Sequence, residues 1–279
     1  MKNIQARQQI QRRLLTDGES KLRYRGTLMS LGIIYKEEGV RGLYRGFQPT
    51  VIGYAPAWAI YFTFYNRGRT EFSKEFPSAS KELGIITAAV FSGAVSNLVT
   101  NPIWVIRTRL QTQEHVSRKP EYFGTFDAAR KIFRREGFLA FYKGMIPAMW
   151  GLIHVAIQFP VYEKFKQVLN VNLDNRDEHL HLDSALRLIA ASSGSKLIAS
   201  LMTYPLEVVR TRMQVQRSDS KLPPHYLTVV GSLRTIIHEE GVRGLYMGLQ
   251  TNLIRVVPAC AITFTTYELV FRALKKLEL

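Results

Sequence analysis

Long apolar stretches alternate with charged ones along this chain. Gly46 to Tyr65 reads GFQPTVIGYAPAWAIYFTFY and contains no charged residue. Met145 to Tyr162 has none apart from the titratable His154, and Gly248 to Tyr267 has only Arg255. Each approaches the roughly 20 residues that a helix needs to cross a bilayer core. Two further apolar runs, Leu83 to Ile106 and Ala190 to Val209, carry few polar groups, Lys196 and Glu207 among them. Shorter segments lie between these spans, near Thr27 to Glu37, Phe126 to Arg135 and Val229 to Glu239. Their apolar residues recur at three- and four-residue steps, as in Leu28, Leu31, Ile34 and Tyr35, the spacing of an amphipathic helix. Gly39, Gly137 and Gly241 are placed to stop these helices. The pattern predicts an all-α membrane protein with short amphipathic helices between its spans.

The elements repeat. Pro102-Ile-Trp-Val-Ile-Arg107-Thr-Arg109-Leu-Gln111 recurs as Pro205-Leu-Glu-Val-Val-Arg210-Thr-Arg212-Met-Gln214. Glu136-Gly137 followed by Tyr142-Lys143-Gly144 recurs as Glu240-Gly241 with Tyr246-Met247-Gly248, and upstream as Glu38-Gly39 with Tyr44-Arg45-Gly46. A charge-poor span follows each Tyr-x-Gly and ends in Tyr65-Asn66, Tyr162-Glu163 or Tyr267-Glu268. Such self-similarity at a period of roughly one hundred residues marks a three-unit architecture. The units run over 1–80, 81–180 and 181–279.

Composition narrows the function. Net charge is +16, an excess that suggests anionic partners: nucleic acid, acidic lipid or anionic small molecules. The basic residues sit between apolar spans instead of clustering on one face, which argues against a nucleic-acid protein. Cys260 is the single cysteine, so no intramolecular disulfide framework or cysteine-cluster metal site is expected. No catalytic triad motif, metal-ligand spacing or phosphate-cradling glycine loop is present, so neither an enzyme nor a resident cofactor is expected. The basic, polar N-terminus, MKNIQARQQIQRRLL, has no apolar signal-peptide core.

These motifs resemble those of the mitochondrial carrier family. That family's signature is Pro-x-acidic-x-x-basic-x-basic, then acidic-Gly and aromatic-basic-Gly motifs, three times over. The resemblance implies a three-repeat bundle of six tilted helices around a central cavity in the inner mitochondrial membrane. It also implies short matrix helices, proline-bent odd-numbered helices and alternating access from either side. Trp104, standing where the signature has a carboxylate, resembles the nucleotide and cofactor branch. Gly53 to Tyr65, Val155 to Glu163 and Thr251 to Ala259 look most like NAD carriers, with pyrimidine-nucleotide, FAD and folate carriers close by. The implied partners are a nucleotide-type anion and inner-membrane lipid, cardiolipin included. A monomer is expected, with no nucleic acid bound.

Aligning Arg7 with Arg109 and Gln9 with Gln111 places Met1 just after the position of a first proline. Five of the six helices are therefore expected. The chain is either a shortened form of a longer, working carrier or a genuine five-helix remnant that does not transport. Gln5 stands at the first basic position of this repeat.

The resemblance implies a matrix gate at Pro102, Trp104, Arg107, Pro205, Glu207 and Arg210. Trp104 cannot accept an arginine ion pair, and Glu207 is expected to pair with Arg107 of the neighbouring repeat. It implies a cytosolic gate at Asn66, Arg69, Glu163, Lys166 and Glu268, weakened because Asn66 replaces an acid and Phe271 a base. Lys196 stands eleven residues before Glu207, close to three turns at about 3.6 residues each, so the two share a helix face. An intramembrane lysine is a functional candidate, here for a phosphate. Arg255 suits bidentate phosphate contact. Gly151 could admit a flat base, with Trp150 or Tyr54 stacking, or could serve close helix packing. Gly53, Leu152, Asn97, His154 and Gln158 complete the expected substrate contacts, with Gly93 and Ser96 as weaker wall groups.

Overall fold

The computed structural model describes residues 1–11, 26–76, 80–116, 121–169, 182–216, 226 and 228–256, together with 258, 259, 262, 263 and 266. Among the described residues every regular element is a helix. In chain order these are α1 (Lys2–Ile10), α2 (Thr27–Leu43), α3 (Phe47–Glu75), α4 (Lys81–Val116), α5 (Thr125–Glu136), α6 (Met145–Trp150), α7 (Ile153–Val168), α8 (Leu182–Val215), α9 (Val229–Glu240) and α10 (249–256). Short 3₁₀ turns cover Phe138–Tyr142 and Val242–Tyr246. The chain forms two compact units. The first is Met1–Ile153 with Thr203–Thr251, and the second is His154–Met202 with Asn252–Leu279.

Among the described residues two helical stretches, Leu83–Gln113 and Phe138–Val168, are long and apolar enough to cross a membrane by length and composition. Helix α3 has 29 residues and α8 has 34. Both are long enough at about 1.5 Å per residue. They are less apolar: α3 carries Tyr54, Trp58, Tyr61 and Tyr65, and α8 carries Lys196, Glu207 and Arg210. The expected span from Met145 to Tyr162 is not one helix. Gly151 N–H donates to the Pro147 carbonyl at 2.9 Å, and Leu152 N–H reaches only three residues back, to Met149, at 3.0 Å. That tightening makes Gly151 and Leu152 a turn between α6 and α7. Helices α4 and α8 run through Pro102 and Pro205, each omitting the hydrogen bond that a proline nitrogen cannot donate.

The first unit shows the repeat in three dimensions. Ile106 and Leu110 of α4 pack with Tyr122, with Ala128 and Ile132 of α5, and with Phe141. Tyr204, Val208, Val209 and Met213 of α8 pack likewise with Tyr226, with Val229 and Ile236 of α9, and with Leu245. Ile4 of α1 on Ile34 of α2 is the smaller equivalent. Gly137 and Gly241 end α5 and α9 at φ of 79° and 71°, as expected, whereas Gly39 at φ of 66° kinks α2, which continues to Leu43. Outside the spans, Lys131 donates to the Asp127 carboxylate at 2.8 Å and Phe123 N–H at 2.9 Å. The lysine first, then the backbone donor, hold that carboxyl below its ordinary range.

Three buried arginines join the repeats. Arg7, Arg109 and Arg212 each form a two-pronged ion pair with Glu38, Glu136 and Glu240, through Nη1 and through Nη2 at 2.9, 3.0 and 2.8 Å. The Nε of each donates to a main-chain carbonyl of another repeat. Arg7 reaches Gln111, Arg109 reaches Gln214, and Arg212 reaches Gln9, all at 3.0 Å. The links run in a circle, so the ends of α1, α4 and α8 close on one another. Lys143 and Arg45 add second cations to Glu136 and Glu38 at 3.0 and 3.6 Å.

The Tyr-x-Gly glycines fit this ring closely. Gly144 has φ of 74°, and a Cβ there would lie 2.9 Å from the Arg210 carbonyl oxygen and from Gln214 Cγ. Left-handed backbone alone costs a non-glycine residue about 1–2 kcal/mol. Gly144→Ala is therefore expected to destabilise the protein by more than that. Thermal unfolding in detergent checks it, and a midpoint equal to wild type would contradict the tight fit.

Candidate functional site

A cavity of about 310 Å³ lies in the first unit among α1, α3, α4 and the C-terminal part of α8. Its wall combines aromatic, amide, hydroxyl and charged groups, including Tyr54, Asn97, Thr100, Trp104, Arg107, Glu207 and Arg210. Helical spacing explains the convergence. Asn97, Thr100, Trp104, Arg107 and Gln111 follow one another at three- and four-residue steps along α4, with Thr108 beside Arg107, and Glu207, Arg210 and Gln214 do so along α8, with Thr211 beside Arg210. Lys2, Gln5 and Gln9 supply the α1 side.

Trp104 anchors the wall. Its Nε1 donates to Thr100 Oγ1 at 2.9 Å, and Thr100 in turn donates to the Ser96 carbonyl at 2.7 Å. Its ring meets Tyr54 edge-on, with centroids 5.4 Å apart, and Arg107 lies over it at 5.3 Å. A guanidinium on a tryptophan face is attracted by the ring's quadrupole. Lys2 Nζ reaches the Tyr54 hydroxyl at 3.3 Å. A chamber of this kind presents flat aromatic surface, hydrogen-bonding amides and positive charge together. That suits an anion bearing a planar ring.

The expected Glu207–Arg107 pair does not form. The Glu207 carboxylate accepts instead from Gln5 Nε2 at 3.2 Å. The cyclic order of the helices explains this pairing. Arg212 of α8 grips α1 through the Gln9 carbonyl, so the residue facing Glu207 is the one at the basic position of α1, which is Gln5. Arg107 takes the tryptophan face instead.

Of the other expected contacts, Gly53 lies against α4, where a Cβ would meet Ile103 Cγ2 at 3.0 Å and Trp104 at 3.4 Å. Small residues allow such close helix approach. Leu152 packs on Gly93, where a Cβ would come within 2.7 Å of its Cδ2. Ser96 donates to the Ala57 carbonyl at 2.9 Å, tying α4 to α3. Trp150 is exposed, Gly151 is half-buried, and neither lines the cavity.

In the second unit, Arg255 Nη2 donates to Asn252 Oδ1 at 2.6 Å. Lys196, His154 and Gln158 are half-buried there. Glu163 and Lys166 pair at 3.4 Å, with Lys166 over the Tyr162 ring at 5.7 Å. On α3, Asn66 and Arg69 are exposed. Glu268 lies outside the described residues.

Lys2, Gln9, Gln214 and the arginine–glutamate ring were not among the expected site residues. The ring was legible in principle, because Arg-x-Arg and Glu-Gly recur together in each repeat. The glutamines left a weaker signal, recurring two residues after each second arginine.

A family model described as mitochondrial carrier protein matches residues 2–76, 80–173 and 182–278. The chain is 43% identical over 247 residues to mitochondrial nicotinamide adenine dinucleotide transporter 1 of Saccharomyces cerevisiae, covering 88% of this chain and 65% of that protein. It is 40% identical over 246 residues to mitochondrial nicotinamide adenine dinucleotide transporter 2 of Arabidopsis thaliana, covering 88% and 66%. It is 38% identical over 264 residues to the chloroplastic folate transporter 1 of the same plant, covering 93% and 85%. The chain thus spans about two thirds of the length of the first two.

Removing the carboxylate of Glu207 leaves Arg107 and Arg210 at the cavity without it. Glu207→Gln should loosen closure here and lower the rate of any exchange that depends on it. Flux of labelled substrate through reconstituted protein measures this, and a wild-type rate would count against a gate at Glu207.

Proposed function

The chain belongs to the mitochondrial carrier family, and on that premise we propose that it moves NAD or a related nucleotide across the inner mitochondrial membrane. It works by alternating access, as a multi-pass protein, in exchange for another nucleotide. The observation that carries this reading is the cavity where Trp104 and Tyr54 converge with Arg107 and Arg210. An aromatic pair offers stacking to a base, and arginines suit phosphate oxygens. The names of the yeast and plant relatives support NAD over other nucleotides.

The anion clamp is read on Lys196 and Arg255. Two cations held at membrane depth are costly alone and repel each other. A pyrophosphate offsets both terms, so the phosphates matter more than the base. Folate is the second reading, favoured by the relative that bears its name. It too joins a planar ring to anionic groups.

Uptake into proteoliposomes, with NAD, UTP, FAD and folate compared, tests the choice. NAD is expected to be taken up fastest, and transport of folate alone would replace the first reading with the second. Lys196→Ala and Arg255→Ala should each nearly abolish NAD uptake while the protein remains inserted. Charge-assisted contacts of about 1.5–3 kcal/mol each correspond to roughly tenfold to a hundredfold in affinity. Nicotinamide riboside, which lacks the pyrophosphate, should compete poorly. Normal uptake by both variants would remove them from the site.

A further inference from the structure

Glu207 holds α1 through an amide instead of a cation, and Trp104 supplies no carboxylate. An ionic gate so depleted needs another source of cohesion. Tyr204 stands three residues before Glu207, just ahead of Pro205, and is 1% exposed. Its hydroxyl donates to the Met247 carbonyl at 2.9 Å. It accepts from Gln9 Nε2 at 3.1 Å and Gln5 Nε2 at 3.4 Å. A phenol has one proton to give and two lone pairs, and these contacts use all three. The Gln5 nitrogen that touches Tyr204 is the same one that holds Glu207 at 3.2 Å. The ring stacks on Tyr246 at 6.3 Å, with 9° between planes. Gly248 is in close contact, since a Cβ there would lie 3.0 Å from the hydroxyl.

The second repeat is built differently. Asn101 holds the equivalent place before Pro102, and its Nδ2 donates to the Phe141 carbonyl at 2.7 Å. It reaches its own 3₁₀ turn, as Tyr204 reaches Met247. Unlike the Tyr204 hydroxyl, its Oδ1 is buried without a hydrogen-bond partner among the described residues, and the basic position across its α4–α8 junction holds a true cation, Arg210. The long phenol and the neutral Gln5 therefore occur together, at one junction.

We propose that Tyr204 is a positioning residue of the gate, bracing Gln5 and Gln9 so that α1 stays closed on α8 without an ion pair. The proposal rests on the carrier reading for its consequence in transport, but the brace itself is a property of the closed cavity. It makes a specific demand on epistasis. A lysine at position 5, which matches Arg107 and Arg210 of the other repeats, would give Glu207 a charged partner. The phenol should then become dispensable.

The test places a reporter thiol at Thr211, a buried cavity-lining residue one turn beyond Glu207, in a Cys260→Ser background. The rate at which an impermeant maleimide labels Thr211→Cys in purified protein reads gate opening, and NAD exchange in proteoliposomes is measured in parallel. Tyr204→Phe should raise labelling by roughly tenfold, as expected for losing hydrogen bonds at one hub. Gln5→Lys combined with Tyr204→Phe should return labelling to within about twofold of wild type. Gln5→Met, which breaks the relay from the other side without touching the tyrosine, should match Tyr204→Phe and guards against a misfolded variant. Wild-type labelling in both Tyr204→Phe and Gln5→Met overturns the proposal. An equal rise in Tyr204→Phe with and without Gln5→Lys also overturns it, assigning the phenol to packing alone. If the wild type exchanges no NAD yet the labelling pattern holds, the brace stands and the substrate reading falls.

Discussion

The structure depends on three buried arginines, Arg7, Arg109 and Arg212, each holding a glutamate of its own repeat and a carbonyl of another. Burying a guanidinium and a carboxylate costs several kcal/mol per ion before they attract one another. The geometry offsets that cost with two-pronged pairing and a third hydrogen bond to the main chain. Because the third bond runs from repeat to repeat, the arginines set which helix ends meet and in what order. The order of α1, α4 and α8 then fixes everything above them. It decides that Glu207 faces Gln5, that Arg107 is left to the Trp104 ring, and that Gly144 and Gly248 have no room for a side chain.

This separates two tasks that share one short motif. In Arg-x-Arg the second arginine turns inward and is fully committed to structure. The first, Arg107 or Arg210, lines the cavity. The cavity groups make lighter contacts, among them the Gln5 amide to Glu207 and the Trp104 ring face to Arg107, and lighter contacts are the ones a moving part can remake. On the proposed carrier reading, a closed end stable enough to exclude water and labile enough to open needs both kinds.

Much of this was legible in the chain. The amphipathic helices and the stops at Gly137 and Gly241 appear in the structure near the expected residues. The family followed from motifs that occur in a fixed order. What was not legible has physical causes. The break at Gly151 depends on one hydrogen bond shifting from four residues back to three, which no periodicity announces. The partner of Glu207 depends on the direction in which the repeats close, a property of three helices at once. Gly53 and Leu152 looked like substrate contacts because their positions are right, but their side chains, or the lack of one, are used against α4. Tyr204 carried no signal, since a tyrosine beside a proline in an apolar run reads as packing.

The account stands or falls on the arginines acting as paired, buried ties and not as separate surface charges. A double-mutant cycle on Arg109 and Glu136, read by thermal unfolding in detergent, addresses that directly. Removing one partner of a buried pair is expected to cost about 3–5 kcal/mol, because the other charge is left stranded. Arg109→Met and Glu136→Met should therefore each lower the midpoint strongly. The double variant should be no less stable than the worse of the two. Single losses that are small and simply add would contradict the ring as the element on which the fold depends.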